Sequence, residues 1–279
     1  MHGARTRKSN ARWFPRATAL TAAAALTASV ALMGGVAYAA TTTVVNETSL
    51  NVTWFTADTR PGGTVAFVTT AGAPLGTGAL QLDTNATTAA KAQLLTGNHV
   101  GTLVSAISAL GFSSKTIAGQ AGVAAPSYQL GIDVDGTLGD NAGFTTMVYE
   151  PYWNGTVATG VWQTWDVAAG QFWSSKTVGG FTAGAGGPPL YTLADIKAMA
   201  PNAVVVSVGV NIGSYNPSYT VLADALVFND VTYDFDPRVF VKDDCKNGGW
   251  ATNWAAGTFV NQGDCVSYFA SGGKTHPRG

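Results

Sequence analysis

Charge is scarce in this chain. Asp, Glu, Lys and Arg make up 11% of its 279 residues, far below the usual quarter. No basic cluster lies beyond Arg16, so nucleic acid and anionic lipid are disfavoured as partners. Glutamate is rarer still, with Glu47 and Glu150 alone, and only His99 and His276 remain beyond the first residues. No G-x-S-x-G, H-E-x-x-H or P-loop occurs, so a serine triad, a zinc protease and a nucleotide cradle have no footing. The two cysteines have no His partners at ligand spacing, which argues against zinc. No repeat of about 20–50 residues is visible, which disfavours solenoids and propellers. Composition argues against disorder, because 46% of the chain is hydrophobic and clearly patterned.

The N-terminus reads as a leader. Arg5, Arg7, Lys8, Arg12 and Arg16 form a basic region, Ala17 to Val36 is an apolar stretch, and Ala37-Tyr38-Ala39 is an A-x-A cleavage site. The stretch is about long enough to span a bilayer, but its Ala/Thr content is weakly hydrophobic. We therefore read residues 1–39 as a signal peptide for the general secretory route and expect a secreted, extracellular protein with no stable membrane span after cleavage. Ten basic residues then face sixteen acidic ones, a formal charge of −6. In that compartment Cys245 and Cys265 read as one disulfide.

The mature chain shows period-2 alternation. In "SYQLGIDV" Tyr128, Leu130, Ile132 and Val134 share one face, opposite Gln129, Gly131 and Asp133. In "AVVVSVGVNIG" Val204, Val206, Val208, Val210 and Ile212 oppose Val205, Ser207, Gly209 and Asn211. The same pattern puts Val65 and Phe67, Leu80 and Leu82, and Val231, Tyr233 and Phe235 inward. Half-polar strands belong to antiparallel sheets with one buried face. Thr192-Leu193-Ala194-Asp195 is a capping box for a helix that Pro201 ends, and a second helical turn fits Leu103 to Ala109. The expectation is an all-β protein: a two-sheet, antiparallel, jelly-roll-like sandwich over 40–237 with one or two short helices, then a disulfide-stapled segment over 238–279.

The segment "TMVYEPYWNGTVATGVWQTWD" reads as a hairpin turning at Asn154-Gly155. Val161, Trp165 and Val167 would form its core face, with Trp162 and Asp166 opposite. Phe172 and Trp173 likewise oppose one another. A second face of rings, a carboxylate and small polar residues is what sugar binding needs, because rings stack on a pyranose and polar groups take its hydroxyls. Tyr152, Trp153, Trp162, Asp166 and Trp173 are therefore candidate ligand-binding residues, and a glycan is the candidate partner. The same rings would equally serve as a second, smaller core. No residue is assigned a catalytic role; Glu150 with Asp166 is the one carboxylate pair among aromatics. Asp133, Asp135 and Asp140, with Asn141, could hold a structural calcium, although an Asp-Gly turn explains Asp135-Gly136 without an ion and the terminal Glu of an EF-hand is missing.

Segments such as "VYEPYWNGTV", "GVWQTWD", "TLADIKAMAPNA" and "TYDFDP", with the tail "DDCKNGGW…FVNQGDCVSYFASGG", resemble a group of uncharacterised secreted bacterial β-sandwich proteins with a Cys-paired C-terminal segment. More loosely, the chain is similar to concanavalin-like and galactose-binding-like jelly rolls that serve as carbohydrate-binding modules. The resemblance implies a secreted sandwich and no particular activity. The leading reading is thus a non-catalytic β-sandwich contacting a glycan through an aromatic face. A structural or surface-interaction protein without a small ligand, and a glycan-cleaving enzyme, are the alternatives.

Overall fold

The computed structural model describes residues 41–118, 123–140, 142–254 and 257–274. Residues 1–39, expected to be a leader, together with Asn141 and His276 lie outside the described residues. The strands run in chain order as β1 (Thr41–Val45), β2 (Trp54–Phe55), β3 (Gly63–Thr69), β4 (Gly78–Thr84) and β5 (Ala92–Thr96). Next come β6 (Leu110–Ala118), β7 (Ser127–Asp133), β8 (Phe144–Tyr149), β9 (Gln163–Asp166) and β10 (Gln171–Ser174). The last four are β11 (Tyr191–Thr192), β12 (Val204–Ile212), β13 (Thr220–Phe228) and β14 (Val231–Phe235). Four short helices interrupt or follow them: α1 (Pro151–Asn154), α2 (Leu193–Met199), α3 (Gly249–Thr252) and α4 (Gln262–Ala270).

The strands form two seven-stranded sheets, so the protein is an all-β, two-sheet sandwich. The first sheet runs β1-β14-β13-β4-β3, with β6 also on β13 and β9 beyond β6. The second runs β11-β10-β8-β7-β12-β5-β2. Pairing is antiparallel except for β1, which lies parallel along β14 with Val45 opposite Phe235.

Alternation builds the core. Tyr128, Leu130 and Ile132 of β7, Met147 and Tyr149 of β8, Phe172 of β10 and Leu94 of β5 point inward from the second sheet. Leu80 and Leu82 of β4, Phe112 of β6 and Tyr233 and Phe235 of β14 meet them from the first. Each fully buried Leu, Ile or Phe contributes about 1.5–3 kcal/mol relative to exposure. Aromatic edges lock the layers together. Trp54 of the second sheet packs edge-on against Tyr233 at 5.0 Å and Phe235 at 5.2 Å. The buried Tyr128 hydroxyl donates to the Val227 carbonyl of the first sheet at 2.9 Å.

The alternation slips once. A bulge between Val205 and Ser207 interrupts the β12–β7 register, so Val205 joins the core in place of Val204 and Val206. A bulge inserts one residue and switches the face of everything on one side of it. The expected hairpin at Asn154-Gly155 is also absent. Pro151 starts the helical turn α1 instead, as its fixed φ favours. β8 then pairs in the second sheet and β9 in the first. Val161, expected in the core, precedes β9 and is 51% exposed. The helix capped by Thr192 and Asp195 forms as expected, and a 3₁₀ turn at Val104–Ala106 fills the second helical place.

Beyond Pro237 the chain builds its own small cluster. Cys245 and Cys265 are bonded and are buried with Phe259, flanked by Trp250, Trp254, Tyr268 and Phe269. The Arg238 amide donates to Glu47 at 2.7 Å, tying the segment to the sandwich. Closing a loop of this length stabilises the tail by roughly 3 kcal/mol in the chain-entropy model. Reduction should therefore speed amide exchange across 240–270 while β7, β12 and β13 stay protected, as mass spectrometry of exchanged peptides would read. A cooperative loss of protection in the sandwich would contradict this.

Trp165 is 8% exposed and its indole N–H donates to Ser114 Oγ at 2.9 Å. Trp165→Ala should cost about 3–5 kcal/mol of unfolding free energy in denaturant titrations. Trp162→Ala should cost clearly less, because that ring is only half-buried.

Candidate functional site

Where the core face of the second sheet ends, its other face begins, and there it forms a groove of about 910 Å³. The floor is made of the residues that alternate with the core: Gln93 and Leu95 of β5, Ser207 and Asn211 of β12, Gln129 of β7 and Thr146 and Val148 of β8. Trp173 of β10 stands at one end. From β5 to β10 the groove crosses four strand spacings, about 19 Å at 4.8 Å each.

The floor is hydrogen-bonded in series. Gln93 Nε2 donates to the Ala57 carbonyl at 2.6 Å, and Asn211 Nδ2 donates to Gln93 Oε1 at 3.4 Å. Ser127 Oγ donates to Asn211 Oδ1 at 2.6 Å, and Gln129 Nε2 donates to Ser127 Oγ at 2.9 Å. Each amide is thereby fixed in orientation before any ligand arrives. A satisfied polar network of this kind is rigid.

The aromatic end is organised by α1 and the loop at 184–187. The Tyr152 hydroxyl and the Trp153 indole N–H both donate to the Gly186 carbonyl, at 2.8 and 2.9 Å. Gly186 holds φ at +97°, a conformation that glycine adopts without penalty. Tyr152, Trp173, Ala185 and Gly186 line the groove. The Trp173 N–H is buried without a hydrogen-bond partner among the described residues.

Glu150 lies beside it. Burial pushes its carboxyl up to about 8, with the adjacent Trp173 indole opposing the shift without forming a well-aligned hydrogen bond. The proton is therefore held on the folded protein at neutral pH, and the carboxyl can donate as well as accept.

At the opposite end sit Asp58, Arg60, Lys91, Ser214, Tyr215 and Asn216. Lys91 Nζ meets Asp58 at 2.7 Å and Arg60 Nε meets it at 3.2 Å. Burial pushes the Asp58 carboxyl up, but the hydrogen bonds and charges of Lys91 and Arg60 outweigh that and hold it below the usual carboxylate range. Tyr215 stands at the rim, 83% exposed, with φ at +69°. A bulky non-glycine residue in that region is strained, and its amide is anchored to the Thr88 carbonyl at 2.8 Å.

The sequence-derived candidates divide between the sheets. Tyr152 and Trp173 line the groove, while Trp153 props its rim and is 42% exposed. Trp162 and Asp166 lie at β9 in the first sheet, outside the groove lining; Asp166 accepts from the Ala169 amide at 3.1 Å. Glu150 and Asp166 are consequently not brought into one cleft. The acidic loop satisfies itself locally. Asp133 accepts from the amides of Asp135 and Gly136, Asp135 from Thr137, and Asp140 from Ala142. Among the described residues no three His, Cys, Asp or Glu side chains gather as a metal site. The floor residues Gln93, Gln129 and Asn211 carry no distinct mark in the sequence, because a polar residue opposite a core residue also reads as plain solvent face. Amides recurring on that face of three separate strands were the available signal.

No family profile matches the chain, and no curated protein matches it. Among solved structures it is similar to a family 11 carbohydrate-binding module from Clostridium thermocellum in complex with a beta-1,3-1,4-mixed-linked tetrasaccharide. Identity is 12%, over 66% of this chain and 91% of the other, with a TM-score of 0.36. The family 11 module of the cellulosomal cellulase Lic26A-Cel5E of Clostridium thermocellum is similar at 11% identity, 64% and 89% coverage and a TM-score of 0.33. A structure of carbohydrate-binding modules from the beta-sandwich superfamily follows at 11% identity, 62% and 59% coverage and a TM-score of 0.30.

Glu150 supplies a test of the site's electrostatics. A carboxyl raised to about 8 in the fold, against 4.5 in the unfolded chain, binds its proton more tightly when folded. Its contribution to stability is full below about pH 4.5 and is lost as pH rises to about 8. Glu150→Gln removes that loss. The gain in melting temperature of Glu150→Gln over the parent protein should grow from pH 5 to pH 8, and Asp224, pushed up to about 7 by burial, cancels in the comparison. A pH-independent difference would show that Glu150 is not held protonated.

Proposed function

We propose that the groove on the outer face of the second sheet binds a glycan chain without cleaving it. The observation that carries this reading is the joining, in one open trough, of aromatic rings with amides already fixed by their own hydrogen bonds. Rings offer apolar faces to pyranose C–H groups, and preset amides offer hydroxyl partners at low ordering cost. The length across five strands suits several consecutive sugar rings. Trp173 and Tyr152 at one end, and Tyr215 at the other, are the groups we assign to stacking; Trp153 supports the loop at 184–187 beside the first two.

The non-catalytic reading follows from the carboxylates. Glycoside hydrolysis uses a pair about 5–10 Å apart. Of the groove's two, Glu150 sits at the aromatic end and Asp58 is engaged by Arg60 and Lys91 at the other. We further infer that residues 1–39 are removed on export and that the sandwich over 40–237 and the stapled segment over 238–279 work outside the cell. The disulfide favours an oxidising compartment. No helix among the described residues is long and apolar enough to cross a membrane.

Polysaccharide affinity electrophoresis and calorimetry test the reading. The protein should be retarded by at least one soluble polysaccharide. Trp173→Ala and Gln129→Ala should each weaken binding about tenfold or more, equivalent to 1.4 kcal/mol, in protein whose circular dichroism shows the sandwich still folded. Trp162→Ala should leave affinity intact. Absence of retardation across neutral and acidic glycans would hand the lead to a structural role without a small ligand, and release of reducing ends would reinstate catalysis.

A further inference from the structure

The two ends of the groove differ in charge. Its floor is neutral, and among the lining residues only Asp58, Arg60, Lys91 and Glu150 carry ionisable carboxyl or basic groups. Three of these four stand together at the β5 end, where two cations meet one carboxylate. Hydrogen bonds tell the same story. Arg60 has five N–H bonds and the Lys91 ammonium three. Their contacts are Arg60 Nε and Nη2 to Asp58 at 3.2 and 3.5 Å, Arg60 Nη1 to Ser214 Oγ at 2.9 Å, and Lys91 Nζ to Asp58 at 2.7 Å. Half of the donors are left over after Asp58 and Ser214 have been served. Lys91 is held mostly buried, whereas the Arg60 side chain is half-exposed, so the pair is fixed yet reachable from the groove.

A surplus positive charge here runs against the rest of the molecule, whose formal net charge is −1 with the leader and more negative without it. A planar guanidinium fork beside an ammonium is suited to a carboxylate. The exposed Tyr215 ring, at the same rim, offers a stacking face next to that charge.

We propose that the glycan taken by this groove is acidic, a uronate-containing chain whose carboxylate sits against Arg60 and Lys91 while sugar rings further along the chain stack at the aromatic end. This rests on the groove being the glycan site and adds the ligand's chemical class.

The test uses the full chain with polygalacturonate, polyglucuronate and alginate, each paired with the same polymer after reduction of its carboxyls to alcohols, and a neutral β-glucan. At least one uronate should bind about tenfold tighter than its reduced partner, and the preference should shrink as salt is raised, as expected for a partly exposed ion pair. Arg60→Ala and Lys91→Met should abolish the preference while leaving binding of the reduced polymer; Trp173→Ala should weaken both. If Arg60→Ala perturbs the loop at 57–60, the salt dependence of the parent protein still decides. Equal affinity for every acidic and reduced pair, or a neutral β-glucan bound through Trp173 and indifferent to Arg60→Ala, would overturn the acidic assignment and leave the groove standing. Binding to none of these polymers would overturn both.

Discussion

The strict two-residue period of the strands in the second sheet is the constraint on which the site depends. Tyr128, Gln129 and Leu130 are consecutive, and only the middle one faces the groove. Leu94 beneath Gln93 and Leu95, and Val210 and Ile212 beside Asn211, repeat the arrangement on β5 and β12. Core packing therefore sets the register of the floor. A one-residue slip in any of these strands would turn the amides into the apolar core and the aliphatic residues out of it, at a cost no surface interaction could offset. The bulge in β12 is confined to Val205–Ser207, ahead of Val208, so Asn211 keeps its place opposite Ser127.

On that register the polar network becomes possible. Gln93, Asn211, Ser127 and Gln129 come from three strands widely separated in the chain, yet they bond in a single series ending on the Ala57 carbonyl. That carbonyl belongs to the loop that also presents Asp58 and Arg60, so floor and charged rim are mechanically one unit. Thr59 reinforces it, exchanging hydrogen bonds of 3.1 Å with the Gln93 backbone in both directions. The aromatic rim is built by different means. Two rings share one glycine carbonyl, and the loop approaches so closely that a Cβ on Gly187 would press on the Trp153 ring.

The aromatic-rich stretch shows why some of this was legible and some was not. Alternation read from the sequence put Tyr128, Leu130, Ile132, Leu80, Leu82, Tyr233 and Phe235 inward, and they are the core. The capping box at Thr192 and the pairing of Cys245 with Cys265 were equally readable, because a cap is a local contact and two cysteines leave one pairing. The two rings Trp162 and Trp173 looked alike in sequence, each opposed to a core aromatic. They part company because Pro151 turns the chain through α1 and sends β9 to pair with β6, while β10 returns to β8. Strand partnership is a long-range choice, and nothing within a ten-residue window records it.

Sequence by itself thus determined the fold class, the inward residues of most strands, the capped helix and the stapled tail. All of these follow from near neighbours in the chain: a period of two, a side chain three residues from its amide, a short loop between cysteines. Only the tertiary structure decided which outward faces lie side by side. It put Gln93, Gln129 and Asn211 on one floor, brought Arg60 and Lys91 onto Asp58 at its end, strained Tyr215 onto the rim, and left Asp166 on the other sheet. A site assembled across strands owes its composition to sheet order, and sheet order is set by the sum of many packing contacts rather than by any local pattern.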